Sequence, residues 1–122
     1  MAYLRKEQEM VEIDYPLRNV WEAIKKAITD IEWTIEEIED NEHQIKVKTK
    51  SGFMSYSSLF FIEVIKMADD HTRINILTET PVTTVTAVAD FGRARQRIDL
   101  FLATIVKQLN LEKEKESKKK ID

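Results

Sequence analysis

Residues 56–67 form the most apolar stretch of this chain and constrain its fold more than any other segment. The stretch predicts a β-strand whose side chains alternate between two sides. One side carries Phe60, Ile62 and Val64, and the other carries Leu59, Phe61, Ile65 and Met67. A strand at the surface of a two-layer domain shows a polar outer face, and this one does not. Its second face therefore requires a cover, which either a helix or a second subunit can supply.

Four further segments, residues 10–15, 33–39, 44–49 and 72–79, alternate apolar and polar side chains as half-buried strands do. The alternation of the second is disturbed around residues 36–38, which predicts a β-bulge there. Pro81 cannot donate a backbone hydrogen bond, which argues against a central strand at that point. Residues 80–89 are therefore predicted either as a loop or as a short extra strand.

Two segments carry apolar side chains at steps of three and four residues, which predicts amphipathic helices. The first runs from Leu17 to Ile31, and the second runs from Phe91 to Leu109 with Asp90 as its expected N-cap. The chain should therefore have the order β-α-β-β-β-β-α. We predict an α+β fold in which a long C-terminal helix packs on an antiparallel sheet of about five strands. Residues 1–111 should form a single domain, followed by a charged helix end or tail at 112–122.

The amino-acid composition excludes several kinds of site and of protein. The absence of cysteine excludes disulfides, thiolate metal sites and cysteine nucleophiles. No stretch approaches the roughly 18 apolar residues of a membrane span, and the N-terminus does not resemble a signal peptide. We therefore expect a cytoplasmic protein without a membrane span. The net charge of −3 argues against general nucleic-acid binding.

Several short motifs resemble those of small bacterial β-α-β4-α domains of the helix-grip or TATA-box-binding-protein-like type, which are distantly START-like. The residues that carry the resemblance are Ile13–Tyr15 with Pro16, Val20–Ala23, Gln44–Thr49, Thr72–Ile76 and Phe91-Gly92. The resemblance covers roughly residues 10–109 and implies this fold. It implies no specific activity.

No set of nucleophile, base and orienting residue can be recognised, so we expect no enzyme, no cofactor and no metal. His43 and His71 lie in or beside predicted turns and are expected to be solvated surface residues. A candidate anion patch comprises Lys46, Lys48, Lys50, Arg93 and Arg97. The alternative is that alternating lysines protect an exposed strand against aggregation.

Two candidate surfaces follow from the apolar residues. Trp21, Trp33, Phe60 and Phe101 form a candidate pocket for a small hydrophobic ligand between the long helix and the sheet. A filled core is the alternative, and it is favoured for a domain of this size. Leu59, Phe61, Ile65 and Met67 form a candidate interface for a homo-oligomer, with a dimer favoured. The first function hypothesis is a non-enzymatic binding or assembly module that self-associates through its sheet, and the second is a small hydrophobic-ligand carrier.

Overall fold

A computed structural model describes the backbone of residues 3–50, 58–82 and 93–121, and the side chains within 6–50, 58–80 and 95–113. The elements follow the predicted order β-α-β-β-β-β-α, which confirms the α+β fold. They are β1 (Tyr3–Ile13), α1 (Leu17–Asp30), β2 (Thr34–Glu39), β3 (Gln44–Lys48), β4 (Leu59–Ala68), β5 (His71–Val82) and α2 (Arg93–Ile121). The long α2 includes the charged segment that begins at residue 112.

The five strands form one sheet in the spatial order β1-β5-β4-β3-β2, and every neighbouring pair is antiparallel. Strands β2 to β5 form the expected meander, and β1 joins its far edge beside β5. The register of β2 against β3 shifts between Ile35 and Glu37, where the sequence predicts the bulge.

Strands β1 and β5 are longer than their apolar patterns indicate. β1 pairs with β5 from Tyr3, opposite Val82, to Ile13, opposite Thr72. The ladder between β4 and β5 is described from Leu59, opposite Glu79, and Pro81 lies opposite Leu4 of β1. Residues 80–82 thus belong to β5, while residues 83–92, with the expected cap Asp90, lie outside the described residues.

Both helices pack on the same face of the sheet, called here the inner face. Buried side chains of α1 and α2 share one core with inward-facing residues of β3, β4 and β5. The fully buried members include Val20, Ile24 and Ile28 of α1, Phe60 and Ile74 of the sheet, and Ile98, Phe101 and Ile105 of α2. The opposite face, called here the outer face, carries the other side of β4. Neither described helix supplies the cover that this side was expected to need.

The C-terminus of α1 directs Trp33 into the core. The backbone N–H of Glu32 donates to the carbonyl of Thr29 at 3.1 Å, and that of Trp33 donates to the carbonyl of Ile28 at 3.1 Å. These are the paired bonds of a Schellman motif, in which the residue after the C-cap adopts a left-handed conformation. Glu32 has φ of 62°, in that region. The motif ends α1 and delivers Trp33 beside the buried Ile28.

Among the described residues, no helix combines the length and the apolarity needed to cross a membrane.

Candidate functional site

A group of hydroxyl side chains lies at one end of the inner face. Thr49 directly follows β3, Ser58 directly precedes β4 and Thr80 lies in β5, and their exposed fractions are 3%, 0% and 1%. The N–H of Ser58 donates to Thr49 Oγ1 at 2.8 Å, and the hydroxyls of Ser58 and Thr80 are 2.5 Å apart. We call these three residues the hydroxyl row. A buried hydroxyl is costly without a partner, and these satisfy one another.

Arg97 of α2 reaches the hydroxyl row from the helix side. Its Nη1 donates a hydrogen bond to Ser58 Oγ at 2.5 Å, and the arginine side chain is part-buried. A permanent cation therefore touches buried hydroxyls beneath the first turns of α2. Arg95 points away from this group. It donates to Glu9 on β1 and lies 3.3 Å from Asp99, and the hydrogen bond to Glu9 is the main reason that the pKa of Arg95 is raised.

Three aromatic side chains pack next to the hydroxyl row. Trp33 meets Phe60 edge-on with ring centroids 4.8 Å apart, and it stacks on Phe101 at 5.8 Å. Phe60 and Phe101 are 6.0 Å apart. Phe60 is the next inward-facing residue of β4 after Ser58, and Phe101 is one helical turn beyond Arg97. An aromatic cluster and a polar group with a cation are thus contiguous under α2.

Trp21, the fourth residue of the candidate pocket, lies elsewhere. Its indole Nε1 donates to Asp40 Oδ1 at 3.1 Å, and its ring meets the ring of His43 edge-on at 5.1 Å. Lys25 Nζ lies 5.7 Å from the Trp21 ring centroid. Trp21 therefore joins α1 to the turn between β2 and β3, away from the cluster of Trp33, Phe60 and Phe101.

The residues of the candidate anion patch are separated by the sheet. Lys46 and Lys48 alternate with the inward-facing Ile45 and Val47, so they belong to the outer face, whereas Arg97 lies on the inner side. Lys50 Nζ pairs with Glu32 at 2.9 Å. The side chain of Arg93 is outside the described residues.

His71 occupies an exposed site between two carboxylates. Its ring nitrogens lie 2.9 Å from Asp14 Oδ1 and 3.2 Å from Glu12 Oε1. The hydrogen bond with Asp14, followed by that with Glu12, raises the pKa of His71 above its usual 6.5. Within the part of the chain that the structure describes, no group of three or more His, Asp or Glu side chains is arranged to hold a metal ion.

The candidate interface residues share the outer face. Leu59, Phe61 and Ile65 are half-buried there, and Met67 is 44% exposed. The middle of this face is a trough of about 760 Å³. Its lining includes Met10, Lys46, Phe61, Glu63, Asn75 and Leu77.

No protein-family model matches this chain, and no curated protein sequence matches it. Solved structures do match. A norcoclaurine synthase point mutant from Thalictrum flavum, in complex with a transition-state analogue, is 12% identical with a TM-score of 0.68, covering 93% of this chain and 98% of its own. Ara h 8.0201 is 9% identical with a TM-score of 0.61, covering 88% and 99%. A Staphylococcus aureus protein of unknown function is 9% identical with a TM-score of 0.62, covering 91% and 98%.

These similarities establish a helix-grip, START-like fold over nearly the whole chain. They support the START-like part of the expected resemblance and not the TATA-box-binding-protein-like part. At such low identity the likeness concerns the fold alone, because one fold carries many functions.

The sequence analysis predicts the three aromatic residues of this cluster, Trp33, Phe60 and Phe101, in one candidate pocket, but it misses the hydroxyl row. It assigns Arg97 to an anion patch with Lys46 and Lys48, which lie on the other face. The available signal was the replacement of inward-facing apolar residues by Thr49, Ser58 and Thr80 toward one end of their strands.

Proposed function

We propose that this chain binds, without chemical turnover, a small and mostly apolar molecule that carries an anionic or hydroxyl-bearing group. The proposed site lies between α2 and the inner face, beside the hydroxyl row. The observation that carries the proposal is the contact of Arg97 with Ser58 next to the cluster of Trp33, Phe60 and Phe101.

The chemistry of the site supports this class of ligand. Small-molecule sites combine apolar and aromatic walls with a few convergent polar groups that fix the ligand's orientation. The aromatic cluster supplies the wall for a ring or an alkyl chain. Arg97 and the hydroxyls of Ser58 and Thr80 supply donors for an oxygen-bearing group.

The structural neighbours support the same class of ligand by analogy of fold. One norcoclaurine synthase structure from Thalictrum flavum, 14% identical with a TM-score of 0.66, is in complex with dopamine and hydroxybenzaldehyde. Those are small aromatic molecules with polar groups. Self-association, the first function expected from the sequence, concerns the opposite face of the sheet and stays a prediction.

Binding is measured with 8-anilinonaphthalene-1-sulfonate, a fluorescent probe that joins an aromatic body to an anionic sulfonate. We expect saturable binding of the probe to the native full-length chain. In the variant Trp21→Phe, Trp33 is the sole tryptophan, and we expect its fluorescence emission to change when the probe binds. The decisive variant is Arg97→Gln, which should weaken binding of the probe roughly tenfold or more. A charge-assisted hydrogen bond from the arginine to the sulfonate contributes about 1.5–3 kcal/mol, and the variant removes it.

Two matched controls locate the probe. Arg95→Gln removes a neighbouring arginine of α2 that binds Glu9, and it should leave the affinity unchanged. Phe61→Ser weakens the apolar outer face and should also leave it unchanged. Equal loss in Arg95→Gln and Arg97→Gln, a loss confined to Phe61→Ser, or no saturable binding at all would contradict the proposal.

A further inference from the structure

We infer that the trough on the outer face binds a small organic cation, in which an apolar body carries an ammonium group. Glu63 and the amide side chains beside it accept hydrogen bonds from the ammonium group, and Phe61 and Leu77 contact the apolar body. The inference concerns the face opposite the proposed ligand site and does not depend on that site. The two faces of the sheet differ in the charge that they recognise.

The register of the strands gives the layout of the trough. Residues that pair across neighbouring antiparallel strands share a face of the sheet. One row crosses the sheet from β2 to β1 and reads Glu39, Gln44, Glu63, Asn75 and Met10. The adjacent row reads Glu37, Lys46, Phe61, Leu77 and Gln8. Carboxylates thus lie on β2 and β4, and large apolar side chains lie on β4, β5 and β1.

Glu63 is the central acceptor of the first row. Its carboxylate accepts hydrogen bonds from Gln44 Nε2 at 3.0 Å and from Asn75 Nδ2 at 3.4 Å. Both donors are neutral, so they orient the carboxylate without cancelling its charge. Each amide uses its nitrogen in these bonds, and its carbonyl oxygen is a further acceptor. The row therefore combines a negative charge with several acceptors, which matches an ammonium group because that group has only N–H donors.

The acidic residues of the trough favour a cation over an anion. The carboxylates of Glu37, Glu39 and Glu63 line it on the outer face. Glu9 also borders the trough, but its carboxylate bonds to Arg95 of α2 on the inner side. Within the part of the chain that the structure describes, the carboxylates of Glu37, Glu39 and Glu63 form no ion pair. A bound cation supplies the missing positive charge.

The basic side chains of the outer face do not neutralise Glu63. Among the described residues around the trough, Lys46 is the one with a positive charge, and its Nζ lies 5.8 Å from the centroid of the Phe61 ring. Lys48 lies one row farther from Glu63, and Lys6 pairs with Glu79 at 3.7 Å. Lys46 repels a bound ammonium group, so its removal should strengthen binding.

The apolar side chains beside Glu63 provide the contact for the body of the ligand. Phe61 and Leu77 pair directly across β4 and β5, and both are half-buried. Met10, at the β1 end, is 60% exposed. The trough has a volume of about 760 Å³, within the roughly 300–1,000 Å³ of small-molecule sites. Such sites combine apolar walls with a few oriented polar groups, so the occupant is a small molecule.

The test uses dansylcadaverine, a fluorescent probe that joins an aromatic body to an alkyl ammonium group. Its titration into the native full-length chain should show saturable binding that weakens as the salt concentration rises, because salt screens the attraction. The N-acetylated probe keeps the aromatic body but lacks the charge. It should bind roughly fivefold more weakly, because it forms no charge-assisted hydrogen bond with the carboxylate.

Three variants divide the contribution of charge from that of apolar contact. Glu63→Gln should weaken binding of the charged probe roughly fivefold and leave the acetylated probe unaffected. Lys46→Gln should strengthen binding of the charged probe, because it removes a like charge from the trough. Met10→Ser removes exposed apolar surface and should weaken binding of both probes. Circular dichroism confirms that each variant is folded.

Two control variants should leave the affinity for the charged probe unchanged. Glu79→Gln removes a carboxylate of the same face that pairs with Lys6 outside the trough. Arg97→Gln alters the proposed ligand site on the inner face.

Equal affinity for the two probes, no saturable binding, or equal effects of Glu63→Gln and Glu79→Gln would overturn the inference. Loss of binding in Arg97→Gln would assign the probe to the inner face and overturn it as well. A trough that is buried by self-association, or that binds a basic peptide but not the probe, would assign the face to a macromolecular partner and equally overturn it. Sedimentation velocity with and without the probe detects the first of these two outcomes.

Discussion

Trp33 and Phe101 stack with their ring centroids 5.8 Å apart and an angle of 24° between their planes. The two residues are far apart in the sequence. Trp33 lies between α1 and β2, immediately before β2, and Phe101 lies in α2. Their stacking, completed by Phe60, ties the long helix to the sheet at the proposed ligand site. Phe101 is fully buried in this cluster.

Truncation of Phe101 should therefore be severely destabilising. We expect Phe101→Ala to lower the free energy of unfolding by about 3–5 kcal/mol, because it removes a buried ring and leaves a cavity. Urea denaturation followed by circular dichroism measures the change. Leu100→Ala is the control on the same turn, since Leu100 is 49% exposed and its truncation should cost about 0.5 kcal/mol or less. Similar losses for both variants would contradict the assigned packing.

Replacement of Glu32 by glycine should stabilise the chain. Glu32 has φ of 62°, which costs a residue with a Cβ roughly 1–2 kcal/mol relative to glycine. Part of that gain is offset by the greater freedom of glycine in the unfolded chain. We expect Glu32→Gly to raise the free energy of unfolding by up to about 1 kcal/mol, measured in urea. Glu32→Ala is the control, because it also removes the exposed pair with Lys50 but retains the Cβ, and it should not stabilise.

The stability of the chain should depend on pH through His71. The pKa of His71 is raised in the folded state by Asp14 first and by Glu12 second, so the folded chain binds the proton more tightly than the unfolded chain. The resulting stabilisation is fully present below the unfolded pKa, near 6.5, and is lost as the pH rises through the folded value.

His71→Gln should therefore reduce the free energy of unfolding more at about pH 5.5 than at about pH 8.5. Urea denaturation of the variant and the original chain at both values measures the difference. Asp14→Asn removes the principal partner and should diminish the same pH dependence. A His71→Gln effect that is equal at the two values, or larger at the higher one, would show that the histidine is not stabilised in its charged form.

Removal of one hydroxyl from the hydroxyl row should be mildly destabilising. Thr80→Val keeps the shape of the side chain but leaves Ser58 without the hydroxyl that lies 2.5 Å away. We expect a loss of about 1 kcal/mol, the usual net contribution of a neutral hydrogen bond. Thr29→Val, which removes an exposed hydroxyl bonded to a carbonyl of its own helix, is the control and should cost less. Greater stability of Thr80→Val would mean that the two hydroxyls are not productively paired.

Much of the architecture follows from side-chain periodicity. The change from a period of two to steps of three and four residues indicates α1 between β1 and β2, and the same pattern indicates α2. The disturbed alternation of apolar and polar residues around Glu36 and Glu37 predicts the bulge of β2 where the register shifts in the structure. The ends of the strands were less predictable. The first residues of β1, from Tyr3, show no alternation of apolar and polar side chains that would predict a strand. They nevertheless pair with β5 and extend β1.

The sites were only partly predictable for a related reason. Periodicity tells which residues of an element share a face, but it does not tell which faces meet. The charge pattern groups Arg97 with Lys46 and Lys48, although the sheet lies between them. The aromatic pattern groups Trp21 with Trp33, although the indole of Trp21 donates a hydrogen bond to Asp40 in a turn.

The elements, their order and the apolar side of each one follow from local sequence patterns, because these depend on residues close together along the chain. That α1 and α2 share the inner face, which leaves Phe61 and Leu77 together on the outer one, is visible only in the folded chain. The same is true of the contacts of Arg97 with Ser58 and of Trp33 with Phe101. Such contacts join segments distant in sequence, and their geometry depends on how the whole sheet and both helices pack together.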